Sequence, residues 1–314
     1  MSRVGVTGGA GFIGSNLVRR LLDSGHEVVI IDDLSTGLIS NLNLSQVEFH
    51  NTSILEGKAL FSILADCETI FHLAARGSVP RSILNPVATH EVNATGTLNI
   101  LEVARKTNAH IIFSSSSSVY GRNLSIPKDE KMWLSPISPY AASKLSAESY
   151  MQAYSAAYDL KVTILRFFNV FGPYQRPNHE YAAVIPKWIW AAILGEPLVV
   201  HGDGLVSRDF TYVETALDIA ISAMEQNVTT QGAVNVAFGN RIYLNQVLDI
   251  LKSIFPDIRI IFDSPRSGDV RDSQNSPTLL IELFPKVEPK NFETALLETI
   301  EWFKMNGNKI SNGL

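Results

Sequence analysis

Blocks of apolar and polar residues alternate along the first two-thirds of the chain and predict strands and helices in turn. Short, mainly apolar runs are typical of strands in a parallel sheet, and they occupy residues 4–7, 26–32, 47–50, 69–75, 110–113 and 161–170. Between them, apolar residues recur at helical spacing over residues 12–22, 56–64, 92–106 and 139–158. This alternation predicts an α/β fold, a Rossmann-type doubly wound parallel sheet.

The pattern becomes less regular after residue 171, where a Gly-Pro pair ends the last of these runs. Further elements are predicted at residues 184–194, 209–226, 233–238, 244–255 and 292–306. We therefore expect a second, smaller mixed α/β domain near the C-terminal end. Residues 1–171, with about 208–240, are assigned to the sheet domain, and residues 172–207 and 241–314 to the smaller one.

Composition narrows the class of partner. The 314 residues carry a net charge of −5 and therefore lack the basic excess of a general nucleic-acid binder. Cys67 is the single cysteine, which excludes an intramolecular disulfide and fits a core residue in a reducing compartment. No run is long enough to span a membrane, and no signal peptide is recognisable. We expect a cytoplasmic protein that binds neither nucleic acid nor membranes and holds no metal.

A glycine-rich turn follows the first predicted strand. Gly9, Gly11 and Gly14 fit the G-x-G-x-x-G pattern, in which glycines turn the chain, admit a pyrophosphate and let helix and strand pack closely. The following helix would offer free N–H groups and a partial positive charge to phosphates. Alone, the pattern also fits a glycine-rich turn without a ligand.

The second predicted strand ends on a carboxylate, which strengthens the interpretation. Asp32 follows Gly14 by 18 residues, near the spacing of about 20 expected for the acid that binds the adenosine ribose. No arginine occurs at residues 33–37 to receive a 2′-phosphate. These features favour NAD over NADP.

Two further features carry candidate chemistry. A run of five serines, residues 114–118, follows a predicted strand at the end of the sheet where ligands bind in open α/β folds. Tyr140 and Lys144 are four residues apart and lie on one face of the helix that begins near residue 139. An ammonium near the phenol, together with the positive nicotinamide ring, would favour the phenolate and lower the tyrosine pKa, which makes it a better base. Taken singly, this pair is common at the start of exposed helices.

In combination, these motifs resemble the extended short-chain dehydrogenase/reductase family, in particular its NAD-dependent nucleotide-sugar epimerases and dehydratases. The resemblance extends over nearly the whole chain and includes residues 8–14, 114–121, 140–144, 166–173, 202–204, 207–210 and 266–269. Among these enzymes the chain is similar to UDP-N-acetylglucosamine 4-epimerases. The resemblance implies that the sheet domain binds NAD and that the smaller domain binds a nucleotide sugar.

The resemblance also implies roles for individual residues. Tyr140 would be the general base, Lys144 would bind the nicotinamide ribose, and Ser116 would hydrogen-bond the reacting hydroxyl. The residues expected at NAD are Gly8, Gly11, Phe12, Ile13, Gly14, Asp32, Ser53, Ile54, Leu73, Ala74, Ala75, Asn93, Tyr140 and Lys144. Ser53 departs from the family pattern, which usually has an aspartate there.

Asn169 would hold the diphosphate of a UDP-sugar, and Arg208 and Arg266 would offset its charge. Asp269 would bind the uridine-side ribose. The residues expected at the nucleotide sugar are Ser78, Arg81, Ser116, Ser117, Asn169, Val184, Arg208, Arg266, Asp269 and Ser273. Ser273 stands where glucose-only epimerases carry a tyrosine, so it would leave room for an acetamido group. An ordinary loop serine is an equally good interpretation.

The subclass depends on residues 116–118, which are all serines. The 4,6-dehydratases of the family carry an Asp-Glu pair there, which supplies the acid and base of the elimination. Without these carboxylates, the sequence favours C4 epimerisation of UDP-GlcNAc/UDP-GalNAc, with UDP-Glc/UDP-Gal as further substrates. Three alternatives stay open. Arg76 and Arg81 could bind a sugar carboxylate, which would suit a UDP-uronic acid 4-epimerase. The other two are a nucleotide-sugar dehydratase and a protein that binds NAD without turnover. We expect a homodimer formed through the helices at residues 92–106 and 140–158.

Overall fold

The computed structural model describes residues 1–178, 182–264 and 271–311. Its strands are β1 (Arg3–Thr7), β2 (Glu27–Asp32), β3 (Glu48–Asn51), β4 (Thr69–His72), β5 (His110–Ser116), β6 (Val162–Phe167), β7 (Val170–Phe171), β8 (Leu198–His201), β9 (Ser207–Arg208), β10 (Thr211–Tyr212), β11 (Ala233–Val236), β12 (Ile242–Tyr243) and β13 (Ile260–Asp263). Its α-helices are α1 (Phe12–Asp23), α2 (Gly57–Leu64), α3 (Val79–Leu84), α4 (Pro86–His90), α5 (Gly96–Thr107), α6 (Pro139–Tyr158), α7 (Val184–Leu194), α8 (Val213–Glu225), α9 (Leu244–Ile254), α10 (Thr278–Leu283) and α11 (Phe292–Ser311).

Seven strands form one parallel sheet in the order β11-β6-β5-β4-β1-β2-β3. The chain first adds strands on one side of β1 and then returns to add β4, β5, β6 and β11 on the other side. The strand order therefore reverses between β1 and β4, where open α/β sheets bind ligands beyond their carboxyl ends. The doubly wound parallel sheet predicted from the sequence is confirmed.

Two apolar clusters cover the two faces of this sheet. One includes the inward residues of α1 and α8 and continues into α7, α9 and α11. The other is formed by α2, α5 and α6, and it contains Cys67 as a buried core residue. Because each helix hides its apolar side against strands that are themselves apolar, both faces of the sheet are sealed and only its edges and ends remain for chemistry.

The later part of the chain pairs short strands outside the main sheet, as β7 with β10, β8 with β13, and β9 with β12. Helices α7, α9 and α11 pack against these pairs, and α10 packs against β11 of the main sheet. None of the helices in residues 1–178, 182–264 and 271–311 combines the length and apolar content needed to cross a membrane.

Three sequence-based boundaries are wrong. Strand β4 ends at His72, so residues 73–75 form the loop beyond it. Strand β5 continues through Ser116 because these serines keep pairing with β6, with Ser114 opposite Leu165 and Ser116 opposite Phe167. The helix predicted at residues 92–106 begins with a π-helical turn, Glu91–Thr95, and the two short helices α3 and α4 before it were not predicted.

Candidate active site

The glycine-rich turn forms a tight cradle at the carboxyl end of β1. Gly8 has φ +74°, and its N–H donates to the Ile31 carbonyl at 2.8 Å. A Cβ at Gly14 would lie 2.1 Å from the Gly8 carbonyl oxygen, and one at Gly8 would lie 2.8 Å from the Ala74 nitrogen. Only glycine permits this close packing, which leaves the N-terminus of α1 facing a cavity of about 570 Å³.

Asp32 lies in the wall of the same cavity. Its Oδ2 accepts a hydrogen bond from the Ala10 N–H and its Oδ1 one from the Leu34 N–H, both at 2.9 Å. Burial raises the pKa of this carboxyl, and the two backbone hydrogen bonds partly offset that effect. The carboxylate therefore fixes the loops on either side of it and retains acceptor capacity for ribose hydroxyls.

Most of the residues expected at NAD line this first cavity. They are Gly8, Gly11, Phe12, Ile13, Gly14, Asp32, Ile54, Leu73, Ala74 and Ala75. The glycine cradle, the free helix terminus and the ribose-binding carboxylate together fit a dinucleotide in size and chemistry.

Two predicted cofactor contacts, Ser53 and Asn93, are not among the residues that line this cavity. Ser53 is not among the lining residues, where its neighbours Thr52 and Ile54 stand, and its Oγ accepts a hydrogen bond from the Leu55 N–H at 3.3 Å. Asn93 is buried: its Oδ1 accepts from the Arg76 N–H at 2.8 Å, and its Nδ2 donates to the Ser143 hydroxyl at 2.9 Å. Its amide therefore ties the loop after β4 to α6 instead of lining the cavity.

A second cavity of about 510 Å³ adjoins the first, because Gly77 and Ala183 line both. Ser116 from the end of β5 and Tyr140 from the first turn of α6 lie in its wall. The hydroxyl of Ser116 accepts hydrogen bonds from the N–H of Ser118 at 3.2 Å and from its hydroxyl at 3.0 Å. A hydroxyl and a phenol from different elements are thus brought to one surface.

Lys144 lies one turn after Tyr140 and is buried. Its Nζ donates to the Ser114 carbonyl at 2.8 Å. Burial lowers the pKa of Lys144 to about 8, and the charge of Glu148 opposes this shift. The Lys144 side chain therefore joins helix α6 to the carboxyl end of β5. Ser114, its partner, lines the first cavity.

The pKa of Tyr140 is raised, because burial disfavours the phenolate more than a hydrogen bond with Ser116 favours it. The contacts within the protein therefore raise the pKa of Tyr140, and the lowering expected from Lys144 together with the nicotinamide ring stays a prediction. A tyrosine with a raised pKa stays protonated near neutral pH and is a weak base. Tyr140 can therefore act as a base only if additional positive charge lies beside its phenolate.

The substrate residues predicted from the sequence divide into three groups. Those that line the second cavity are Ser78, Ser116, Ser117, Asn169, Arg208 and Ser273. Arg81 lines the first cavity instead, and Val184 lines neither cavity but is partly buried against the larger apolar cluster. Arg266 and Asp269 lie outside the described residues.

Lys128 is a lining residue of the second cavity that the sequence did not suggest, since it lies in an irregular loop without a motif. The residue is 5% exposed, and its ammonium donates to the Asn123 carbonyl and lies 5.5 Å from the centre of the Tyr120 ring. Burial lowers its pKa. In the part of the chain that the structure describes, no carboxylate forms an ion pair with it.

Asp209 joins three segments next to this cavity. Its Oδ2 accepts from the Gly239 N–H at 3.0 Å and from the Asn275 N–H at 2.8 Å, while its Oδ1 is buried without a partner. Its backbone carbonyl accepts from the Asn169 side chain at 3.0 Å. Burial raises the pKa of Asp209 to about 7 despite these backbone hydrogen bonds.

Comparison with known proteins agrees with this geometry. Residues 4–237 match the model of the NAD dependent epimerase/dehydratase family. The UDP-glucose 4-epimerase of Mycolicibacterium smegmatis is 36% identical, over 95% of this chain and 97% of the relative. A solved structure of UDP-N-acetylglucosamine 4-epimerase from Methanobrevibacter ruminantium M1, in complex with UDP-N-acetylmuramic acid, is 38% identical. The match has a TM-score of 0.92 and covers 97% of this chain and 99% of that one.

Relatives with a different reaction share the fold. A structure of TunA, an NAD dependent NDP-hexosamine 5,6-dehydratase involved in tunicamycin biosynthesis, is 30% identical with a TM-score of 0.87. The match covers 97% of this chain and 98% of that chain. Similarity over the whole chain therefore does not distinguish epimerisation from elimination. That distinction depends on the residues of the second cavity.

We predict that Asp209→Asn changes the pH dependence of stability. The substitution keeps an acceptor oxygen for the two N–H groups but removes the titrating proton. The pKa of Asp209 is about 7 in the folded protein, whereas the ordinary value for an aspartate is 3.8. Between these two pH values, the folded wild type therefore binds more protons than the unfolded chain. Wild-type stability therefore falls as the pH rises through this range, and the variant lacks that loss.

Urea unfolding between pH 5 and pH 8 measures this difference. The stability of Asp209→Asn relative to the wild type should increase from pH 5 to about pH 7 and then level off. The matched control is Asp203→Asn, an exposed carboxylate whose Oδ1 accepts a hydrogen bond from the Leu205 N–H. A stability difference for Asp209→Asn that is independent of pH would contradict the prediction.

Proposed function

This chain belongs to the NAD-dependent epimerase/dehydratase family, and on that basis we propose that it inverts the configuration at C4 of a UDP-hexose. The favoured substrates are UDP-GlcNAc and UDP-GalNAc, with UDP-Glc and UDP-Gal as further substrates. The reaction would pass through a transient 4-keto sugar. The main support is the pair formed by Tyr140 and Ser116 in the wall of the second cavity.

The side chains at this pair favour epimerisation over elimination. An elimination needs an acid and a base beside the reacting carbons, whereas Ser116, Ser117 and Ser118 offer only hydroxyls there. Asp272 is the carboxylate among the described residues that line the second cavity. It accepts a hydrogen bond from the Ser207 hydroxyl and forms a 3.0 Å ion pair with Arg241. It is thus held by its neighbours and not offered as a free acid or base.

Within this proposal, NAD when bound supplies the acceptor and later the donor of a hydride. Tyr140 takes the proton from the C4 hydroxyl at its phenolic oxygen and returns it after the sugar has turned over. The Ser116 hydroxyl orients the reacting oxygen. The Lys144 ammonium, held 2.8 Å from the Ser114 carbonyl beside the first cavity, would together with the nicotinamide ring of bound NAD favour the Tyr140 phenolate against the effect of burial.

We also propose a division of labour between the two parts of the chain. Residues 1–171, with about 208–240, would bind NAD, and residues 172–207 and 241–314 would bind the nucleotide sugar. The linings support this assignment in outline, since the first cavity draws mostly on loops after β1, β2 and β4, although Gln175, Arg176 and Ala183 of the later segment also line it. Ser273 and Ala183 reach the second cavity from the later segments.

A second candidate substrate is a UDP-uronic acid. Lys128 supports it, because a buried ammonium in the second cavity would stabilise a sugar carboxylate. Arg76 and Arg81, which raised this alternative in the sequence, both line the first cavity and give it no support.

We predict that the protein interconverts UDP-GlcNAc and UDP-GalNAc and that Tyr140→Phe lowers turnover by about 10²–10⁴-fold, the usual contribution of a general base. Nuclear magnetic resonance of the products from UDP-GlcNAc, UDP-Glc and UDP-GlcA identifies both substrate and reaction. The control is Tyr158→Phe, an exposed tyrosine on the same helix, which should retain activity. A keto or olefinic product that accumulates, or full activity of Tyr140→Phe, would reject the proposal.

We predict that Ser273→Tyr suppresses turnover of UDP-GlcNAc and spares that of UDP-Glc. Ser273 lines the second cavity, and a tyrosine ring there would occupy the space of an acetamido group. The kcat/KM for both sugars measures the effect, with Ser273→Ala as the control of similar size. Equal loss for both sugars would show that Ser273 does not select by size.

We propose that two copies associate through α5 and α6. Helix α6 exposes Tyr150 and Tyr158, and large exposed apolar side chains often mark an interface. Sedimentation should give twice the chain mass, and Tyr150→Glu should shift the protein toward single chains. Phe262→Glu, which alters an exposed residue on β13, is the control. A wild-type mass of one chain would contradict the proposal.

A further inference from the structure

We propose that residues 173–176, called the strap below, hold the adenosine diphosphate half of NAD. In this proposal the Arg176 guanidinium binds the diphosphate, and the Gln175 side-chain carbonyl accepts hydrogen bonds from the adenosine. Both residues line the first cavity. The proposal depends on the cofactor of the family and not on which sugar reaction takes place.

The strap is fixed to the helix that follows the glycine-rich turn. The Asn16 amide on α1 donates to the Pro173 carbonyl at 3.0 Å. The Arg19 guanidinium lies 3.6 Å from the centre of the Tyr174 ring, a cation–π contact at close range. These contacts place the strap alongside α1, whose N-terminus faces the first cavity.

A second attachment crosses to the segment after Asp32. Arg176 donates from Nη1 to the Thr36 carbonyl at 3.4 Å, although 140 residues separate them in sequence. Gln175 donates from Nε2 to the Val170 carbonyl at 3.2 Å. The strap thus spans from the end of β7 to the loop expected beside the adenosine ribose.

Two polar atoms of the strap remain without partners. Gln175 Oε1 and Arg176 Nε are shielded from solvent and form no hydrogen bond, although buried polar groups are nearly always paired. Within the described ranges, no carboxylate lies within 4.0 Å of the Arg176 guanidinium to form an ion pair. Two adjacent residues in one cavity wall therefore have unused donor and acceptor capacity.

An adenosine diphosphate matches this capacity. Its diphosphate oxygens accept hydrogen bonds and carry negative charge, which the planar guanidinium binds well. Its ribose hydroxyls and adenine amine can donate to the Gln175 carbonyl. Asp32 and Asp33 also line the cavity, so a guanidinium at the same end reduces the repulsion that these carboxylates exert on the diphosphate.

Calorimetric titration of NAD-free protein tests the proposal with NAD, ADP, adenosine and UDP as separate ligands. We predict that Arg176→Gln weakens NAD and ADP by about tenfold or more, as expected for a lost charge-assisted hydrogen bond. Adenosine and UDP should bind as in the wild type, since neither contains the cofactor diphosphate. Gln175→Leu should weaken NAD and adenosine together. The matched control is Arg259→Gln, an exposed arginine outside both cavity linings.

Two further measurements keep the result interpretable. NAD that co-purifies with each variant should fall for Arg176→Gln, and Arg176→Lys, which keeps the charge, should retain more of it. Unchanged affinity of Arg176→Gln for NAD and ADP would overturn the proposal. A parallel loss for UDP and adenosine, accompanied by a lower unfolding temperature, would also overturn it, because the arginine would then be structural. Failure of the sugar reaction alone would leave these binding results unaffected.

Discussion

The hydrogen bond from Lys144 to the Ser114 carbonyl sets the geometry of the proposed chemistry. It fastens α6, which carries Tyr140, to β5, which carries Ser116, at a donor–acceptor distance of 2.8 Å. A buried ammonium without hydrogen-bond partners is unfavourable. Loss of the Ser114 carbonyl as an acceptor would therefore destabilise the folded protein. Because Tyr140 lies one helical turn before Lys144, this anchor also sets the position of the Tyr140 backbone.

The same helix is held at a second level by a buried ion pair. Glu148 lies one turn after Lys144 and binds Arg166 of β6 through two hydrogen bonds of 2.8 and 2.7 Å. Glu148 also accepts from the Ser115 hydroxyl, and Arg166 donates to the Tyr120 hydroxyl at 3.1 Å. Buried charges stabilise only when every partner is present, so this network specifies one arrangement of α6 against the sheet.

The network continues to the segments that line the second cavity. Tyr120 donates to Asn235, whose amide donates to Asn275, each at 2.9 Å. Asn275 in turn donates its N–H to Asp209, next to Arg208. Side chains from β5, α6, β11 and the segment after residue 271 are therefore linked through buried polar contacts, and the proposed catalytic and substrate residues share one rigid support.

The sequence by itself determined the alternation of strands and helices that builds the sheet, because the periods of buried strands and amphipathic helices are local properties, but it did not determine the ends of β4 and β5. It also located the glycine cradle, Asp32, and the Tyr140 and Lys144 spacing, since each depends on neighbours in the chain. Asn93 and Arg81 could not be placed in this way: Asn93 faces a loop 17 residues away, and Arg81 turns to the first cavity instead of the second.

Only the tertiary structure decided which distant side chains meet. Lys128 became part of the second cavity, and Arg176 reached the loop after Asp32, because loops that carry no local signal are packed together by the fold. The sign of the Tyr140 pKa shift was also a tertiary result. Residue spacing predicts a neighbouring charge, whereas burial depends on everything that covers the phenol, and here burial is the larger effect.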